Sequence, residues 1–428
     1  MSNHEDEIDT DSESIDDTTE TNKIEKTFQV KVVAGTYDST LCGWEFAIST
    51  QLDFDKMFDA KVDDEKDEHD DEKDDEKDDE QDEKTENKDT SEQDDKKDQD
   101  MDEDVEGSSS DEVEGVEFNE LFAVRPHSGS VNRVTVFGQW MATGGYDENI
   151  VLYNVGKQKE EAVIHHMEGS ITHLHLFEKF LFCSTTHGVV SIHEFSKHWE
   201  KIWQETAHKG GGCKHFAIHP SGRFMLTVGE NDHKLKLWNL ITGQLAYKIN
   251  VGGGSMVVDA IHFSPSGDSY CVVSRDCFYV YDTESCVLIH SQTIKPQKQD
   301  EDDVVPAHLR VTCLKYLSEM LIVTGSDDKN LYVWNILEGK LIHVLHMHTN
   351  RVKDVDVMEI DVGEFILVSV DSDGGMALWR VSDEVALLEG FVDTGARLTS
   401  VALVKPSEVS KFVKQRYKLF KKKYNLEE

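Results

Sequence analysis

The chain has 428 residues and a formal net charge of −41, and that charge is unevenly spread. Residues 1–22 carry nine acidic and no basic side chains, residues 61–114 carry 30 Asp and Glu against eight Lys, and everything outside these two stretches sums to only −10. No stretch approaches 18 uninterrupted apolar residues, the N-terminus lacks the basic and apolar regions of a signal peptide, and the seven Cys contain no CxxC pair. A membrane-spanning helix, a secretory leader, a zinc ribbon and a disulfide framework therefore lack support, and a soluble intracellular protein with free thiols is the expectation.

In chain order, residues 1–25 read as a disordered acidic tail. Residues 26–58 contain VVAGTYDSTLCGWEF, two strands around a turn, with Asp38 six residues before Trp44. Residues 59–115 hold the run DDEKDDEKDDEQ, which has no β-branched or aromatic side chain and is expected to be disordered. FNELFAVRPH at 118–127 then reads as a further strand.

From 116 to 404 the chain repeats itself. YDENIVLYN, NDHKLKLWN, SDDKNLYVWN and DSDGGMALWR place aromatics at Tyr153, Trp238, Trp334 and Trp379, and degenerate copies end at His193 and Tyr281. The successive spacings of 40, 45, 43, 53 and 45 residues match a WD40 unit, and the long interval holds the polar loop PQKQDEDDVVPA. Six residues before the four aromatics stand Asp147, Asp232, Asp328 and Asp373, whereas the degenerate copies have His187 and Arg275 there, which predicts looser packing locally. His127, His166, His208 and His348 each precede a strand-like run. A buried carboxylate needs partners, so each His is expected to meet an Asp, with a Ser or Thr and the Trp completing the set. RLTSVALV at 397–404 is a lone apolar strand, and pairing it with the N-terminal strands would close a ring without edges. The expected fold is all-β, a seven-bladed WD40 β-propeller whose seventh blade is closed by both termini. The acidic insert would then leave the face opposite the His/Asp turns, together with both tails.

Catalytic and metal chemistry find little purchase. His165 with His166, or His173 with His175, could be drawn as ligand pairs, but no Cys or carboxylate stands at ligand spacing, so a structural role is the better reading. There is no nucleophile elbow and no P-loop; VGGG at 251–254 does not open a helix after a strand. No enzyme, cofactor, metal or small-molecule substrate is expected. Residues 405–428 form a basic segment with Val409, Phe412, Val413, Phe420 and Tyr424 at helical spacing, which reads as a packed helix, a solubilising tail, or an auxiliary docking helix.

VAGTYDSTLCGWEF, HPSGRFMLTVGENDHKLKLWNLITG, HTNRVKDV, SDGGMALWRV and TGARLTSVAL together resemble the p21-activated-kinase-interacting protein family of WD40 propellers, from about residue 30 to 404. The resemblance implies a nucleolar, hence nuclear, factor for large ribosomal subunit maturation and rRNA processing. It also implies negative regulation of p21-activated kinase through that kinase's regulatory region. The acidic insert looks like an addition to the family pattern, and the basic tail is shorter than the family's Lys-rich extension. Expected partners are pre-60S assembly factors, pre-rRNA and p21-activated kinase, with the protein a monomer inside a larger complex away from membranes. Candidate contacts are Lys209, beside His208, and Asn350, Arg351, Lys353 and Arg397 in loops before inner strands; Arg351 and Arg397 belong to neighbouring blades and could form one basic patch. A third possibility is that the insert attracts basic proteins electrostatically, or contacts the basic tail, in a salt-sensitive way.

Overall fold

The computed structural model describes residues 27–49, 116–250 without 158, 166 and 233, 256–296, 309–406, and positions 411 and 414. The acidic tail, the acidic insert, the long polar loop, VGGG, His166 and the docking-helix apolar positions lie outside the described residues; Lys411 and Lys414 are helical.

Strands β1 (Thr27–Thr36), β2 (Leu41–Ser49) and β3 (Asn119–Val124) open the chain. Blade one follows as β4 (Val131–Phe137), β5 (Trp140–Gly145), β6 (Ile150–Asn154) and β7 (Lys159–Ile164). Blade two is β8 (Ile171–Phe177), β9 (Phe180–Thr185), β10 (Val189–Glu194) and β11 (Glu200–Thr206). Blade three is β12 (Cys213–Ile218), β13 (Phe224–Gly229), β14 (Lys234–Asn239) and β15 (Gln244–Asn250). Blade four is β16 (Ala260–Phe263), β17 (Ser269–Ser274), β18 (Cys277–Asp282) and β19 (Leu288–Thr293). Blade five is β20 (Val311–Tyr316), β21 (Leu321–Ser326), β22 (Asn330–Asn335) and β23 (Lys340–His346). Blade six is β24 (Val352–Asp361), β25 (Glu364–Asp371), β26 (Gly375–Val381) and β27 (Ala386–Asp393), and β28 (Leu398–Val404) completes the series.

Each blade is a four-stranded antiparallel sheet, and the seventh has the order β28-β1-β2-β3. The expected closure is therefore present: Lys31 to Gly35 pair with Val404 to Ser400, and Ala34 lies opposite Val401. The alternation that drives it is visible in β1, where Phe28, Val30 and Val32 are buried against blade six beside Phe46, Ile48, Ile366, Val368 and Leu403. Burying such side chains contributes roughly 1.5–3 kcal/mol each. The joint between blades seven and one is thinner, built on Val33, Leu41, Val131, Val134, Met141 and Ala402.

The turn Tyr37–Thr40 joins β1 to β2 on the same face as the other inter-strand turns that carry Asp. β2 thus runs away from that face, with Ser49 opposite Thr27 and Asn119 opposite Glu45. Before β3 the chain crosses the outer strand of blade six: the Val116 N–H donates to the Glu389 carbonyl at 2.8 Å, and a Cβ on Gly390 would meet Phe118 at 3.0 Å. Covering β27 in this way shields one blade edge.

If β28 closes the ring, Leu403→Ala will destabilise the protein by about 2–5 kcal/mol in urea unfolding, as expected for a fully buried leucine. Leu387→Ala, at an exposed position of β27, will change it by about 0.5 kcal/mol or less.

Candidate protein-interaction face

Two blades build the expected His–Asp sets, and a third builds one with a different Asp. In blade one His127 Nδ1 meets Asp147 at 2.9 Å and Nε2 meets Thr143 Oγ1 at 3.0 Å, with Tyr153 in the Trp position. In blade three His208 Nδ1 meets Asp232 at 2.8 Å, Nε2 meets Thr227 Oγ1 at 2.9 Å, and the Trp238 Nε1–H donates to the same hydroxyl at 3.0 Å. In blade six the partner of His348 is Asp371, not Asp373: Nδ1 to Asp371 is 3.0 Å, Nε2 to Ser369 Oγ is 2.7 Å, and Trp379 donates to Ser369 at 3.0 Å.

The register gives the reason for that correction. Val352 lies opposite Asp371, where Val131 lies opposite Gly145 and Cys213 opposite Gly229. A Cβ on Gly145 would stand 2.4 Å from Asp147 and 2.5 Å from His127, and one on Gly229 would stand 2.3 Å from Asp232. Glycine is needed there because a carboxylate from the turn occupies the space. In blade six the strand-end residue supplies the carboxylate itself, and it accepts the N–H groups of Asp373, Gly374 and Gly375 at 2.9 Å each. Gly374, at φ +117°, turns the chain for this. Burial alone would raise the Asp371 pKa, but the bonds from His348 and the turn amides outweigh it and leave it below the usual carboxylate value.

Two further sequence positions differ from expectation. Asp328 meets Ser326 and the Tyr332 hydroxyl, and no His faces it among the described residues; Trp334 still donates to Thr324 at 3.3 Å. Asp38 is exposed and bonds to no His among the described residues, while the turn is held by Thr36 and Thr40 and Trp44 is buried in the core.

The degenerate blades use other devices. In blade two His193 takes the Trp position and bonds to Ser191 and to the Trp199 carbonyl at 3.1 Å each. Trp199, reached through two left-handed residues at φ 55° and 61°, packs edge-on against Trp140. In blade four Asp259 accepts the Arg275 N–H at 2.9 Å.

The inner strands line the channel, and their second residues stitch the blades together near the His/Asp face. Thr399 donates to the Val131 carbonyl, Asn132 to the Ile171 carbonyl at 2.9 Å, and Thr172 to the Cys213 carbonyl. Lys214 pairs with Asp259, which also holds Arg310 at 2.8 Å. At the remaining two positions Thr312 reaches only the Cys313 sulfur at 3.9 Å, and Lys353 has no hydrogen-bond or ion-pair partner among the described residues. Deeper in the channel the His173 and His215 rings meet at a tilt with centroids 3.9 Å apart, and His215 lies 4.9 Å from His262. Burial, and then neighbouring histidine and arginine charges, joined at His215 and His262 by Lys315, hold all three well below the usual histidine pKa. The described residues contain no group of three or more His, Cys, Asp and Glu that could hold a metal ion.

Of the candidate contacts, the fold brings Arg351, Lys353 and Arg397 together and adds Arg133, which the sequence reading missed because it lies inside a strand. Burial and the charges of Arg351, Arg397 and Arg133 lower the Lys353 pKa. Arg133 reaches Asp354 at 3.3 Å, and the Arg397 guanidinium lies 5.2 Å above the Tyr37 ring. Asn350 accepts the N–H of the adjacent Arg351 at 2.8 Å, and Lys209 is exposed on blade three, two blades from Arg133 and three from Lys353.

Residues 118–154, 199–239 and 302–335 match the WD domain, G-beta repeat family. A Danio rerio p21-activated protein kinase-interacting protein 1-like is 32% identical over 299 residues, covering 69% of this chain and 76% of that protein. The chain belongs to the p21-activated-kinase-interacting protein family. A Xenopus laevis member is 31% identical over 293 residues, covering 67% of this chain and 75% of its own. The Schizosaccharomyces pombe Shk1 kinase-binding protein 15 is 25% identical over 297 residues, covering 67% and 78%.

Asp371→Asn should cost about 2–3 kcal/mol by leaving His348 and three turn amides poorly matched, and Asp373→Asn about 0.5 kcal/mol or less, both read from unfolding midpoints. Stability should also fall on mild acidification. The unfolded chain takes up protons near pH 6.5 that His173, His215 and His262 refuse when folded, so stability is full above that pH and drops below it, by up to about 1.4 kcal/mol per pH unit for each histidine. A His215→Gln protein should show a shallower decline between pH 7 and pH 5.

Proposed function

We propose that the chain is a non-catalytic scaffold in nucleolar assembly of the 60S ribosomal subunit, acting in pre-rRNA processing through contacts on the His/Asp face. The observation that carries the docking part of this reading is the convergence of Arg133, Arg351, Lys353 and Arg397 from three adjoining blades at the channel mouth. A closed ring of seven sheets holds such groups in fixed positions, which favours presenting a surface to several partners at once. The ribosomal and nucleolar placement comes from the family resemblance, and the partners would be pre-60S factors with pre-rRNA.

A second reading is that the propeller binds the regulatory region of a p21-activated kinase and blocks its activation. Relatives in fish and frog are named for interaction with that kinase, and the fission yeast relative for binding Shk1 kinase.

Depletion followed by sucrose-gradient analysis separates the two. Loss of 60S subunits and accumulation of precursor rRNA, rescued by the wild-type chain but not by an Arg351→Glu/Arg397→Glu chain, supports the scaffold. Normal 60S levels on depletion refute it. Inhibition of kinase activation by the purified chain, with no ribosomal material present, supports the second reading.

A further inference from the structure

We propose that the channel mouth on the His/Asp face is a phosphoryl-binding site that takes a phosphorylated Ser or Thr of a partner protein, with Lys353 at its centre and Arg133, Arg351 and Arg397 around it. The proposal rests on the reading of this face as the docking surface and adds the chemistry of what docks.

Lys353 occupies the ring position from which Thr399, Asn132, Thr172 and Lys214 each reach the neighbouring blade. It makes no such bond, although its side chain is half-buried. A partly desolvated ammonium without an anion is unfavourable unless a ligand supplies one. Three more cations crowd the same point. Asp354 is already engaged by Arg133 at 3.3 Å, by the Ser400 hydroxyl at 2.7 Å and by the Val401 N–H at 3.2 Å. Among the described residues Asp354 is the only carboxylate that ion-pairs with any of these four cations, and an incoming carboxylate would offset less of their charge than a dianion. A phosphoryl group brings about −1.5 to −2 charge and three acceptor oxygens, a closer match. Stacked on Tyr37, Arg397 holds its planar fork at the rim, and such a fork suits phosphate oxygens.

The arrangement fits a single phosphoryl group on a peptide better than a nucleic acid backbone. A phosphodiester chain needs a track of cations along its length, whereas these four cluster around Lys353. The surrounding chain is net acidic, which repels a long polyanion and tolerates a short one.

The test uses the full-length chain and fluorescence anisotropy with three degenerate peptide pools, alike except for a central phosphoserine, Ser or Glu, and a 12-nucleotide single-stranded RNA. The phosphoserine pool should bind at least about tenfold more tightly than the Ser pool, with the Glu pool between them, and Lys353→Met should bring phosphoserine binding down to the Ser level without changing the melting temperature. Equal binding of the phosphoserine and Ser pools, strongest binding of the RNA, or full phosphoserine binding by Lys353→Met overturns the proposal. A second arm separates it from the docking reading. If Arg351→Glu/Arg397→Glu strips co-purifying proteins from the wild-type set but phosphatase treatment does not, the docking face stands and the phosphoryl assignment falls. If neither treatment strips them, both fall.

Discussion

The pairing of β1 with β28 is the constraint on which the rest depends. A propeller blade buries one face against each neighbour, so an open array would leave two apolar faces and a sheet edge in water. Here the last strand supplies the innermost position of the blade that the first strands begin, and each of the seven blade interfaces gains an apolar core among the described residues. The mouth of the channel inherits its geometry from that closure. Lys353, Arg397 and Arg133 lie on blades six, seven and one, and only a closed ring sets these three blades side by side.

Stability and presentation are divided among the blades. Blades one, three and six use buried His, carboxylate and hydroxyl groups that satisfy one another, which avoids the penalty of an unpaired buried polar atom. Blade four replaces the set with Asp259, shared among Lys214, Arg310 and the Arg275 amide, and blade two moves its Trp to position 199. Departures from the repeat are thus filled by different residues, and the polar ring at the channel mouth continues through them.

Much of the architecture was legible in the sequence because a repeat forces the same physics at the same spacing. Blade number, terminal closure and the strand on either side of the acidic insert followed from aromatic spacing and apolar alternation. The site was legible only in part. Asp373 has the expected spacing from Trp379, yet the carboxylate comes from Asp371, because a strand end can supply it in place of the turn when that strand-end residue is itself an Asp rather than the Gly of blades one and three. Arg133, His173, His215 and His262 lie in different repeats and meet only across the channel, so no local pattern announces them. Trp199 was hidden because its position depends on two left-handed residues that the sequence His198–Trp199 does not advertise.

The far separation of Ala34 from Val401 along the chain has a consequence for how this protein is made. During synthesis the hairpin of β1 and β2 emerges before the other six blades, with Phe28, Val30 and Val32 ready to be buried, whereas the strand that completes its sheet follows all of them. Contacts between residues so remote form late and slowly. Throughout that interval the β1 edge stands open, able to pair with any passing strand. The closing sheet is thus the one whose pairing has the greatest separation along the chain, and the β1 edge is covered only once the six intervening blades have been made.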